Sequence, residues 1–134
     1  MPFKAEQVKI RRCHLDEADG KQPTAAPFYM TDKRIVLSTA GSHEEARKIA
    51  HALVERRLAA CVNIVPGVES IYRWQGRVET AAEWLLLIKT TAGVFPRLRD
   101  ALAELHSYEV PECIALVVED GGVSYLEWIG ESVS

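Results

Sequence analysis

No stretch of this 134-residue chain reaches the roughly 18 consecutive apolar residues that a membrane-spanning helix requires. The N-terminus has no apolar core of the signal-peptide kind. Basic residues are not in excess. Sixteen Lys and Arg stand against 19 Asp and Glu, the net charge is −3, and no basic stripe forms, which argues against nucleic acid as a partner. Cysteine is scarce: Cys13, Cys61 and Cys113 are an odd number with no Cys-x-x-Cys pair, which speaks against a disulfide framework and against a zinc ribbon. Cys61 and Cys113 lie in apolar, strand-like surroundings, so buried inert thiols in a reducing cytoplasm are expected. A Gly-rich phosphate loop, a G-x-S-x-G elbow and an H-E-x-x-H helix are all missing. Cys61 paired with a distant histidine would be the remaining nucleophile, and its apolar flanks discount it. A non-enzyme is expected.

What is present is an ordinary globular chain with room for one domain. A domain of this size buries roughly 68% of its unfolded surface and needs no staples. Residues 1–33 differ from the rest. They contain the connector DEADGKQPTAAP and a weakly alternating Val8-Lys9-Ile10, which reads as a short strand broken by Arg11-Arg12-Cys13-His14. Met30, leading straight into MTDKRIVLSTA, is a candidate natural start. Cys13 and His14 with Asp16 and Glu17 make only a weak metal-binding pattern.

From Arg34 the pattern sharpens. RIVLSTA reads as a buried strand. Ser42 with Glu45 three residues later is a capping box. Ala46, Ile49, Ala50, Leu53 and Val54 then share one helical face, with His43 and His51 facing mostly outward, and the helix should end near Arg57. ACVNIV is a strand that Pro66-Gly67 bends. VESIYRWQGRVETAAEWLLLIKT reads as a long hairpin turning near Gln75-Gly76. WLLLI (84–88) does not alternate, the mark of a strand covered on both faces. A second helix follows, with Pro96 in its first turn and Phe95, Leu98, Leu102 and Leu105 as its buried stripe. HSYEVPE (106–112) leads into CIALVVED, expected to be another buried strand, and Tyr125, Trp128 and Ile129 fit a short terminal helix.

The order β-α-β-β-α-β plus a helix predicts an α+β, ferredoxin-like split β-α-β sandwich with an extra C-terminal helix. Two helices cover one sheet face. The second apolar face is then expected to be an oligomerisation surface.

Four phrases, LAACVNIVPG (58–67), SIYRWQGRVE (70–79), the Lys-Thr of LLLIKTT (85–91) and HSYEVPE, closely resemble the CutA family of divalent-cation tolerance proteins in wording and spacing. Residues 34–134 form the CutA-like domain, and 1–33 are an N-terminal extension outside the match. The resemblance implies a homotrimer in which the long hairpin of one subunit extends the sheet of the next. It implies a part in tolerance of, or response to, divalent metal ions, with copper or other divalent cations bound at modest affinity. Two departures bear on this. Ser107 stands where the family usually has proline, and Ser38 stands where some members carry cysteine, a much softer metal ligand than serine.

His106 closes the second helix, where the helix dipole stabilises it, and as a neutral imidazole it also suits copper or zinc. His106 and Glu112 are therefore the candidate metal ligands, with no obligatory cofactor expected. Lys89 is expected to pair with Glu112. Lys89, Tyr108, Glu112, Tyr72 and Trp74 form a candidate small-molecule pocket between subunits. The trimer also looks like that of the PII signalling proteins, so the alternative is a signalling trimer binding a small anionic ligand there.

Overall fold

The computed structural model describes residues 11–13 and 28–134, with side chains from Thr31 onward. The strand expected at 8–10, the connector at 16–27, and the side chains of Cys13, His14, Asp16 and Glu17 lie outside the described residues. Arg11–Cys13 (β1), expected to break a strand, is itself a strand and pairs antiparallel with Phe28–Met30 (β2).

The remaining elements are β3 (Lys33–Ala40), α1 (His43–Glu55), β4 (Cys61–Trp74), β5 (Arg77–Thr91), α2 (Phe95–Leu105), β6 (Ile114–Val117) and α3 (Val123–Ser132). The sheet runs β4-β5-β3-β6, antiparallel throughout. This is the α+β split β-α-β arrangement expected from the pattern.

Each element ends for a local reason. Ser42 caps α1 by accepting the Glu45 N–H at 3.1 Å. The capping box is only half made, because the Glu45 carboxylate turns to His106 instead. Arg57, just past α1, takes φ +59° and turns the chain toward β4. Pro96 sits in the first turn of α2, where its missing N–H costs nothing. Gln75 (φ +49°) and Gly76 (φ +78°) close the hairpin with two left-handed residues, the signature of a type I′ turn. Pro66-Gly67 does bend the chain, as a register shift between Val65 and Val68 inside one continuous β4.

The core lies between α1, α2 and one sheet face. Val36, Leu86 and Ile88 pack there against Ile49, Leu53, Leu98 and Leu102. Ser38 shares that face, fully buried, and its hydroxyl finds no hydrogen-bond partner among the described residues. Val54, expected among the buried stripe, is exposed because it falls past the edge of the apolar face. Alternate residues Leu85, Leu87 and Lys89 occupy the other sheet face and are only half-buried, so the run 84–88 is not covered on both faces within the chain. At one end of that face α3 returns, with Tyr125 hydrogen-bonded to Cys61 and Gly130 beside Lys33.

Two burial expectations are corrected. β6 is exposed along its length; it is an outer strand of the sheet, paired with β3 on one side. Cys61 and Cys113 are half-buried rather than buried, and both are free thiols. No helix among the described residues is long and apolar enough to cross a membrane.

Candidate functional site

β5 outruns β3. Its partners in β3 end at Trp84, paired with Ala40, while residues 77–83 pair only with β4. The distal hairpin therefore projects beyond the sheet. The connection from α2 to β6 passes the end of β3 beneath it. These segments enclose a cleft of about 530 Å³. The hairpin contributes Ser70, Ile71, Tyr72 and Trp74 from β4 and Glu83 from β5. The α2–β6 connection contributes Tyr108, Glu109, Val110 and Glu112, and Thr39 completes the wall.

His106 organises one side. It is the residue where α2 ends, its N–H donating to the Leu102 carbonyl at 3.0 Å. Its side chain is 0% exposed. Nε2 lies 2.6 Å from the Thr39 carbonyl, and Nδ1 accepts the Tyr108 backbone N–H at 3.0 Å. Those partners assign the ring proton to Nε2. Both ring nitrogens are thus engaged inside the chain, with Glu45 Oε1 3.5 Å from Nδ1. A cation at His106 would have to displace one of these bonds.

The Tyr108 ring packs on His106 with centroids 4.5 Å apart, and its hydroxyl donates to Glu83 Oε2 at 2.7 Å. Gly41 makes room for it, since a Cβ there would sit 3.0 Å from the Tyr108 oxygen. Burial, then the hydrogen bond to Glu83 and its charge, raise the phenol well above its usual range, so it stays a donor.

Of the sequence candidates, Tyr72, Trp74, Tyr108 and Glu112 come together in the cleft, and His106 lies behind it. Lys89 does not. Its ammonium donates to Asn63 Oδ1 and lies 3.9 Å from Cys61 Sγ. Within one chain the expected Lys89–Glu112 pair is therefore not made. Lys89 lies opposite Ile35, whereas Glu112 precedes the strand that starts opposite Leu37. The six residues from Glu83 to Lys89 span about 20 Å of extended chain. Glu83, Thr39 and Gly41 were not singled out from sequence, and Glu45 was read only as part of the α1 capping box. An acidic residue just before an apolar run was the available signal for Glu83.

Three carboxylates, Glu83, Glu109 and Glu112, line the cleft, and no Lys, Arg or His does. Among the described residues no group of three or more His, Cys, Asp and Glu could hold a metal ion. Two exposed carboxylates offer hard oxygen donors, which suit a weakly held divalent cation better than a copper cage.

The family described as CutA1 divalent ion tolerance protein matches residues 34–132. The chain belongs to the CutA1 family. It is 55% identical over 100 residues to the divalent-cation tolerance protein CutA of Thermus thermophilus, covering 75% of this chain and 97% of that protein. It is 48% identical over 145 residues to the human protein CutA, covering 100% of this chain and 81% of that one. Among solved structures, the Thermus thermophilus divalent cation tolerance protein superposes with a TM-score of 0.75 at 54% identity, over 76% of this chain and 99% of that one. The CutA of Xylella fastidiosa gives 0.76 at 42% identity, over 78% and 100%. The CutA1 phrases SIYRWQGRVE and HSYEVPE are thus two facing walls of one cleft.

Proposed function

We propose that the chain works as a homotrimeric divalent-cation tolerance protein that binds copper or other divalent cations at modest affinity and catalyses no reaction of its own. The supporting observation is that Glu109 and Glu112 stand exposed at the cleft with no ion-pair partner among the described residues. Two carboxylates hold a divalent ion loosely, and water or a neighbouring subunit completes the shell. Glu112 serves as a ligand in this reading. His106 serves by holding Tyr108 and the connection in place, its ring nitrogens being spent on that task. The unpaired thiols of Cys61 and Cys113 favour a reducing cytoplasm. The small-anion alternative is not favoured: three carboxylates line the cleft and Lys89 is outside it.

Isothermal titration with copper and zinc at neutral pH tests the assignment. Replacing Glu109→Gln and Glu112→Gln together should remove most of the binding heat. Undiminished binding by that variant would take the cleft carboxylates out of the site.

A further inference from the structure

Cys61 opens β4, and the register of β4 with β5 sets it directly opposite Lys89. Directly opposed residues of an antiparallel pair share one sheet face, with Cβ atoms about 4.5–5.5 Å apart. Lys89 Nζ accordingly lies 3.9 Å from Cys61 Sγ. Asn63, two residues along β4 and so on the same face, accepts from the ammonium and holds it there. Tyr125 of α3 is hydrogen-bonded to the thiol. Both groups belong to one chain and are opposed by strand register. A neighbouring copy lying over this face would leave them opposed.

The other free cysteine among the described residues, Cys113, leads into β6. β4 and β6 are the outer strands of the four, three strand spacings or about 14 Å apart. That is beyond the reach of a disulfide within the chain. An oxidised cysteine, as sulfenic acid, condenses with the nucleophile beside it: a thiol gives a disulfide, a nitrogen a sulfenamide. At Cys61 that neighbour is the Lys89 nitrogen. We infer that Cys61 and Lys89 form a reversible oxidative cross-link between β4 and β5. A peroxide first inserts an oxygen into the S–H bond. The thiol is oxidised by two electrons to sulfenic acid, and the peroxide is reduced to water. Lys89 gives one proton to solvent, and its nitrogen lone pair attacks the sulfur. The S–O bond breaks, and the departing hydroxide takes a proton from nitrogen to leave as water. An S–N bond remains, and the chain is two hydrogens lighter than before oxidation. A small thiol reverses the step by attacking the sulfur and releasing the amine, and a second thiol frees Cys61. This modification does not depend on the divalent-cation reading, because neither residue lines the cleft.

The test is peptide mapping by mass spectrometry after treating the full chain with hydrogen peroxide in small excess. The unaltered chain should yield a tryptic peptide in which the Cys61 and Lys89 segments are joined, uncut after Lys89 and separated by a thiol reductant. The bridge closes the 28-residue span of the hairpin, so the oxidised chain should also melt higher until it is reduced. Lys89→Arg keeps the positive charge, but its guanidinium stays protonated and offers no attacking lone pair. That variant should give no joined peptide, and its Cys61 should go on to sulfinic acid, which thiols do not reverse. Cys113, whose charged neighbours are Arg99 and Glu112, is the internal control and should join to no lysine. Absence of the joined peptide from the unaltered chain overturns the inference. So does a disulfide between the Cys61 residues of two copies as the main product, or equally reversible oxidation of Cys61 in Lys89→Arg. The map of the unaltered chain decides the matter even where a variant fails to fold.

Discussion

Tyr108 is the residue on which the cleft turns. His106 holds its backbone, Glu83 takes its proton donor, and Gly41 leaves the space for its hydroxyl. Removing that hydroxyl leaves a nearly buried carboxylate without its partner. Tyr108→Phe should therefore destabilise the fold by about 2 kcal/mol, read by urea unfolding at fixed protein concentration. The same variant should change the alkaline limb. The phenol's pKa is raised in the folded chain, mainly by burial, so the folded state keeps a proton that the unfolded state gives up. That contribution is complete below about pH 10, the ordinary tyrosine value, and is lost as pH rises beyond it. Stability of the parent should fall above about pH 10, and less steeply with phenylalanine. Tyr125 and Cys113, also raised by burial, keep some slope in both. Tyr72, Trp74, Tyr108 and Glu112 were legible because they stand in two phrases dense with aromatic and polar groups. Glu83 was not. Its partner is a phenol 25 residues further along the chain, and an acidic residue before an apolar run marks the position without announcing that contact.

At the scale of elements, the hairpin carries half the cleft, so its turn matters. Gln75 holds φ +49°, a conformation that costs an ordinary L-residue roughly 1–2 kcal/mol. Asparagine tolerates it better, and Asn-Gly is the preferred pair for this turn. Gln75→Asn should raise stability by about 0.5 kcal/mol, whereas Gly76→Ala at φ +78° should lower it by about 1 kcal/mol. A Cβ at Gly76 meets nothing within 4 Å, so thermal unfolding of the two variants would read backbone strain alone. Equal melting temperatures for both would contradict this account of the turn. The turn position, both long helices and the strand order followed from period and punctuation in the sequence. The burial of β6 did not. CIALVVED is apolar without alternation, and that pattern states how much surface should be covered without stating by what. Among the described residues only its ends, Cys113 and Val118, pack against the core, and the strand between them stays exposed. The same reasoning explains Lys89 and Glu112: one belongs to a strand recognised from sequence and the other leads into one, but register decides that they lie at different levels of the sheet.

For the whole molecule, the uncovered apolar surface is the outstanding feature. β6 exposes Ile114, Leu116 and Val117, the hairpin exposes Ile71 and Val78, and among the described residues both outer edges of the sheet, at β4 and β6, are open. Open edges with apolar side chains invite pairing with another chain. A homotrimer in which the hairpin of one copy lies along the sheet of the next would satisfy both the edges and the apolar side chains. The outcome expected from sedimentation equilibrium at micromolar concentration is a species of three times the 14.9 kDa chain mass. Leu116, 46% exposed in the single chain, gives the sharper test. About half of Leu116 is already exposed, so a lysine there, its stem lying where the leucine lay, would cost a monomer little. If the position is buried between copies, each copy loses about 1 kcal/mol of apolar burial and gains a charge to desolvate. Leu116→Lys should then shift the mass toward the single chain and make the melting temperature strongly concentration-dependent. A monodisperse single-chain species for the parent, or an unchanged mass for Leu116→Lys, would count against assembly through this edge.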